Sequence, residues 1–173
     1  MKRIVSAVIA LFLLCSFSVG LADSLSSMNA MALTASYAAW AKYYEIPDFN
    51  DEMQTSIDGD TGSIQIDALA VNYNRSTFEV EQAIILYSME GVSMEWDARA
   101  IAFYSAVESP TIPDSASKAT EVKKEAEAFL GRVRASLPAL NEAGEEELVM
   151  FNLTGTCAYS FFKSEGYVAI VAN

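Results

Sequence analysis

Two serine–lysine pairs have a spacing that could do chemistry. Ser115-Ala-Ser-Lys118 and Ser160-Phe-Phe-Lys163 both place a lysine three residues after a serine, the separation that lets a lysine on the next helical turn deprotonate a hydroxyl. The second pair lies in a segment that reads as strand, where positions three apart face opposite sides, and the first sits where a helix begins and serine is a cap. The chain contains no histidine. That removes the Ser/His/Asp and Cys/His arrangements, His-ligated zinc and haem, and any side chain that ordinarily titrates near neutrality. What remains for proton transfer is a pair of carboxylates, as in glycoside hydrolysis. Glu90, Glu95, Asp97 and Glu108 flank two similar apolar segments and are the candidates; to act they should lie roughly 5 to 9 Å apart in a cleft.

Carboxylates could also hold a hard cation. Asp58-Gly59-Asp60-Thr61-Gly62-Ser63 places two of them two residues apart, but a calcium loop of the EF-hand kind wants another oxygen ligand at Gly62, glycine at Ser63 and an acid at Leu69. A hairpin turn accounts for the same residues. Trp40, Tyr43, Tyr44 and Phe49 form an aromatic cluster that reads first as core and, where exposed, as the surface for a protein or peptide partner. No catalytic, cofactor-binding or metal-ligating residue is assigned. Asn74-Arg-Ser76 and Asn152-Leu-Thr154 fit the glycosylation sequon, which matters only in a eukaryotic secretory pathway.

The N-terminus reads as an address. Lys2 and Arg3 precede an apolar run over residues 4–19, and Gly20-Leu21-Ala22 offers small residues for cleavage after Ala22, the layout of a secretory signal peptide. Sixteen residues fall short of the roughly 20 that a spanning helix needs. A lipid anchor on Cys15 is disfavoured by bulky Leu14. Export is therefore expected, to a periplasmic, cell-envelope or extracellular site, with no membrane attachment after cleavage. Losing Lys2 and Arg3 from 11 basic residues leaves nine against 23 acidic ones, so a net charge of −12 becomes −14. That balance argues against nucleic acid, whose phosphates are bound by clustered Lys and Arg. Cys157 is left without a partner in the mature chain and reads as a buried thiol. Residues 23–173 are enough for one domain that folds on its own core.

The elements that must position these groups follow from pattern. A helix capped by Asp23 or Ser24 is expected to run to about Tyr44, with Leu25, Met28, Ala32, Ala35 and Ala39 on one buried stripe and Leu33, Tyr37, Trp40 and Tyr44 on another. Residues 54–57 and 63–70 alternate like strands around the Asp58 to Gly62 turn. Ala83-Ile84-Ile85-Leu86-Tyr87-Ser88 recurs 17 residues later as Ala100-Ile101-Ala102-Phe103-Tyr104-Ser105. Residues 96–108 are spaced like a helix; residues 78–90 stand between strand, from the alternation Phe78-Glu79-Val80-Glu81, and helix, from a capping-box pattern at Ser76 and Glu79 with Gly91 at the C′ place, and the echo tilts them to helix. Ala119, Val122, Ala126, Phe129, Val133 and Leu137 mark a helix over residues 114–136, capped at Asp114 or Ser115 and ended by Pro138. A hairpin of residues 148–162 and 167–171 closes the chain after the solvated acidic run Glu145-Glu146-Glu147.

Helix, hairpin, helices and hairpin make an α+β order: one domain, an antiparallel sheet from internal and C-terminal hairpins, and three to four helices on one face. The leading functional expectation is an exported, non-catalytic domain that binds a protein or peptide partner, a second copy of the chain included. The alternatives are a small cell-envelope hydrolase using a carboxylate pair and a weak extracellular calcium-binding module. No cofactor is implied.

Overall fold

The computed structural model describes residues 25, 27–88, 93–142, 148–151, 159–164 and 167–172. Along them run α1 (Ala30–Tyr43), β1 (Met53–Asp58), β2 (Thr61–Ile66), β3 (Leu69–Asn74), β4 (Val80–Ser88), α2 (Met94–Glu108), α3 (Ala116–Glu142), β5 (Leu148–Phe151), β6 (Tyr159–Ser164) and β7 (Tyr167–Ala172). The seven strands form one sheet in the order β1-β2-β3-β4-β7-β6-β5, every neighbouring pair antiparallel. The fold is α+β, with the described helices on one face.

Six expectations about elements are corrected. α1 begins at Asn29, whose side-chain oxygen accepts from the Met31 and Ala32 N–H groups at 3.0 and 3.3 Å, and not at Asp23 or Ser24, which lie outside the described residues. Of the two expected stripes Leu25, Leu33, Tyr37 and Trp40 are buried and Met28 and Tyr44 partly so; Ala32, Ala35 and Ala39 are exposed. Residues 63–70 are not one strand. Asp67, at φ +51°, and Ala68 turn the chain between β2 and β3, a left-handed position that Asp tolerates and that no glycine announces.

Residues 78–90 hold strand β4, not a helix. The capping role assigned to Ser76 is absent: Asn74 Oδ1 accepts from the Ser76 and Thr77 N–H groups in a turn, and Phe78 at φ +61° redirects the chain. Val80, Ile84 and Ile85 then suit a strand buried on both faces. Pro138 does not end α3. Buried Leu140 draws the helix on to Glu142, at the cost of the hydrogen bond that Pro138, without an N–H, cannot give the Arg134 carbonyl. The closing hairpin is three strands, because residues 148–162 divide into β5 and β6. Cys157, Asn152 and Glu145 to Glu147 lie outside the described residues.

Leu33, Tyr37 and Trp40 of α1, Phe103 and Tyr104 of α2, and Phe129 and Val133 of α3 cover Ile64, Val71, Ile85, Tyr87, Phe161 and Ile170 of the sheet. Tyr104, Phe129 and Tyr159 tie α2, α3 and β6 together through ring contacts of 4.7 to 5.8 Å. On the opposite face Ala70, Ile84, Ala169 and Val171, with Leu86, form a second buried cluster that draws no residue from the described helices.

Candidate functional site

Among the described residues, buried charge gathers around the first turns of α2. Arg99, buried, donates from Nε to Asp67 Oδ2 at 2.6 Å and from Nη2 to Oδ1 at 3.1 Å, a bidentate pair that joins α2 to the β2–β3 turn. Its Nη1 reaches Glu95 one turn back at 2.9 Å, and the Trp96 ring lies 5.5 Å from the guanidinium carbon. Tyr37 of α1 donates to the same Asp67 at 3.4 Å. Two residues before Arg99, on another side of the helix, Asp97 accepts from Tyr87 of β4 at 2.7 Å and pairs with Arg134 of α3.

Burial, then the Asp67 charge, push the Tyr37 phenol well above its ordinary 10.0. Burial opposes the Arg99 charge, but hydrogen bonding to Asp67 and its negative charge outweigh it and leave the guanidinium above its usual value. Burial also leads in raising Tyr87, with its bond to Asp97 second. Each carboxylate is already an acceptor for an arginine or a tyrosine. What the arrangement does is clamp α2 to α1, β4, α3 and the turn, and breaking such a pair leaves an uncompensated charge in the core.

The carboxylate candidates fall into this scaffold. Glu95 and Asp97 are held by Arg99 and Arg134, and Glu108 accepts from Tyr159 at 2.8 Å; Glu90 lies outside the described residues. Asp58 and Asp60 are exposed at the β1–β2 turn, where Gly59 at φ +60° supplies the positive φ that a two-residue hairpin needs. Among the described residues no three His, Cys, Asp or Glu side chains converge as a metal site. Ser115 and Lys118 are both exposed at the start of α3. Ser160 and Lys163 fall on opposite faces of β6.

The aromatic cluster is assembled but mostly inward. Trp40 is fully buried and donates to the Ser109 carbonyl at 2.8 Å; Tyr44, half-buried, stacks on it at 5.3 Å and shares a 3.0 Å bond with Ser105. Phe49 is partly buried against Tyr37. Of the four only Tyr43 is exposed, at 48%.

The open surface lies instead along one flank of α1. α1 rests on β2 and β3 and leans on α2 through Ser36 and Trp40, so it stops short of covering β1. Met53, Thr55 and Ile57 pair with Ile66, Ile64 and Gly62, which puts their side chains on the helix-bearing face, yet all three are exposed. Met53 and Ile57 show 53% and 58% of their surface. Across the gap, Met31 and Ala35 line the side of α1 turned from α2, as the 100° advance per residue requires. Phe78, 44% exposed, closes one end, stacked on Tyr73, whose ring lies where a Gly62 Cβ would be. Lys42 and Asp51, 3.6 Å apart, mark the other.

Sequence reasoning missed both the clamp and the flank. The clamp had a signal: Asp97 and Arg99 stand in an alanine-rich helix whose other charges, Glu95 and Glu108, lie toward its ends, and Asp67 interrupts an apolar run. The flank had none, since Ala32, Ala35 and Ala39 read as core whether covered or bare. Comparison with known proteins finds no matching family model, curated protein or solved structure.

Proposed function

We propose that the protein is an exported, non-catalytic α+β domain that binds a protein or peptide partner on the flank between α1 and β1. The observation that carries this reading is an edge strand beyond the reach of α1: Met53 and Ile57 face the side where β2, β3 and β4 are roofed by helices, and remain exposed, as do Met31 of α1 and Phe78. Contiguous apolar side chains left bare by the fold are characteristic of contact surfaces. Tyr43, the exposed member of the expected aromatic cluster, packs on Trp40 and Tyr44 on the α2 side of α1 and does not belong to this surface. Export is supported by the charge and apolar pattern of residues 1–22. No helix among the described residues is long and apolar enough to cross a membrane.

Two measurements test the proposal. The exported protein should begin at Asp23 by N-terminal sequencing; retention of residues 1–22 would refute cleavage. Proteins of the envelope or medium retained by the immobilised wild type should be lost with the double substitution Met53→Asp and Ile57→Asp. Identical sets with both would remove the flank as the binding surface.

A further inference from the structure

Building on the reading of the α1–β1 flank as a partner surface, we propose that its occupant is an extended peptide segment with lysine or arginine at its ends, which adds to β1 as an eighth strand. β1 is the edge of the sheet, paired only with β2 among the described residues. Asp58 and Thr61 close the two-residue turn, so alternation along the strand turns the backbone N–H and C=O of Met53, Thr55 and Ile57 to the open edge. These residues also carry the exposed side chains of the flank. A strand added there would gain main-chain hydrogen bonds and set alternate apolar side chains beside Met53 and Ile57.

Edges are commonly guarded by proline, a bulge or a central charge. Gln54, Thr55, Ser56 and Ile57 supply none of these. Charge is confined to the two ends, where Asp48, Asp51 and Glu52 precede the strand and Asp58 and Asp60 end it, all exposed. Lys42 and Arg75 are the basic residues beside them; Lys42 is paired with Asp51, and the Arg75 N–H donates to the Asp60 carbonyl. Acid at both ends of an uncharged strand is matched by base at both ends of its partner. A second copy meets the opposite situation, because antiparallel β1–β1 pairing brings the Asp51–Glu52 end of one chain against the Asp58–Asp60 end of the other, carboxylates facing carboxylates twice.

The test titrates the purified protein with two capped heptapeptides of alternating valine and threonine, one with lysine at both ends and one with glutamate. The lysine peptide should bind at least about ten-fold more tightly at low salt, with the gap narrowing as salt is raised. Thr55→Pro removes an N–H aimed at the open edge and leaves the β1–β2 ladder intact, so it should abolish binding with an unchanged thermal midpoint. If the proline variant loses its fold, Thr55→Lys serves instead, placing a repelling charge on an exposed side chain. Equal binding of both peptides, abolished by Thr55→Pro, would overturn the basic partner and leave the flank reading standing. Self-association abolished by Thr55→Pro would assign the edge to a second copy. Binding indifferent to both Thr55 variants, or no binding by a monomeric chain, would overturn the proposal; the flank reading falls only if Met53→Asp with Ile57→Asp leaves partner capture unchanged.

Discussion

β4 and β1 belong to one sheet and stand three strands apart, yet their environments are opposite. β4 is covered on both faces: Ala83, Ile85 and Tyr87 lie beneath the helices and Ile84 is buried on the other side, while Asp97 of α2 takes the Tyr87 hydroxyl. β1 has six exposed residues out of six. The helices rest on β2, β3, β4 and β6, anchored by the buried charges of α2, and β1 lies beyond the reach of α1. Stability and accessibility are thus divided between different strands, and a substitution should report on one or the other.

The largest effect is expected at the anchor. Asp67→Ala leaves the Arg99 guanidinium buried without its bidentate partner and should cost about 3 to 5 kcal/mol in denaturant unfolding; a cost near zero would mean that water replaces the carboxylate. One substitution made on each strand is the sharpest comparison. Ile85→Ala should cost about 2 to 5 kcal/mol, whereas Ile57→Ala should stay within about 0.5 kcal/mol, because its side chain is already in water. Equal costs would show that β1 is covered in solution. At the end of the flank, Gly62→Ala must displace the Tyr73 ring from over β2 and should cost about 1 to 3 kcal/mol. A near-neutral result would show that the ring is free to swing away.

The smallest effect is a slope. The fold raises the Tyr37 phenol above its ordinary 10.0, so above pH 10 the unfolded chain releases that proton while the folded chain keeps it. Stability is then fully present below pH 10 and falls as pH climbs toward the folded value. Tyr37→Phe should flatten this decline in unfolding measured from pH 9 upward; an unchanged slope would assign the decline to Tyr44, Tyr87 or Tyr104, which are raised in the same direction.

How much of this was legible depended on whether a local pattern and its tertiary setting agreed. α3 declared itself, since Ala119, Ala126, Phe129 and Val133 are the buried positions that the spacing named. The two related hexamers show where pattern runs out. Residues 83–88 form a strand and residues 100–105 a helix, both almost entirely buried. The two differ only where Ile85 and Leu86 stand against Ala102 and Phe103; β-branched Ile85 in place of Ala102 carried the distinction, and identity at the other four positions hid it. The turn at Asp67 was invisible without a glycine. Of the site, the aromatic residues were found in sequence but their burial was not. The Asp67–Arg99 pair spans 32 residues, and only the folded topology brings it together.

The position of β7 has a consequence for the order of events in the life of the chain. It is made after all the other strands, yet it lies between β4 and β6 and joins the β1–β4 half of the sheet to the β5–β6 half. Until residues 167–172 are synthesised the two halves share no strand pairing among the described residues, and the longest-range pairing, Ala83 with Ala172, is also the last available. A sheet that depends on such distant contacts closes slowly. For a chain proposed to cross a membrane before folding, a keystone strand delivered last delays closure and so favours passage through a translocation channel.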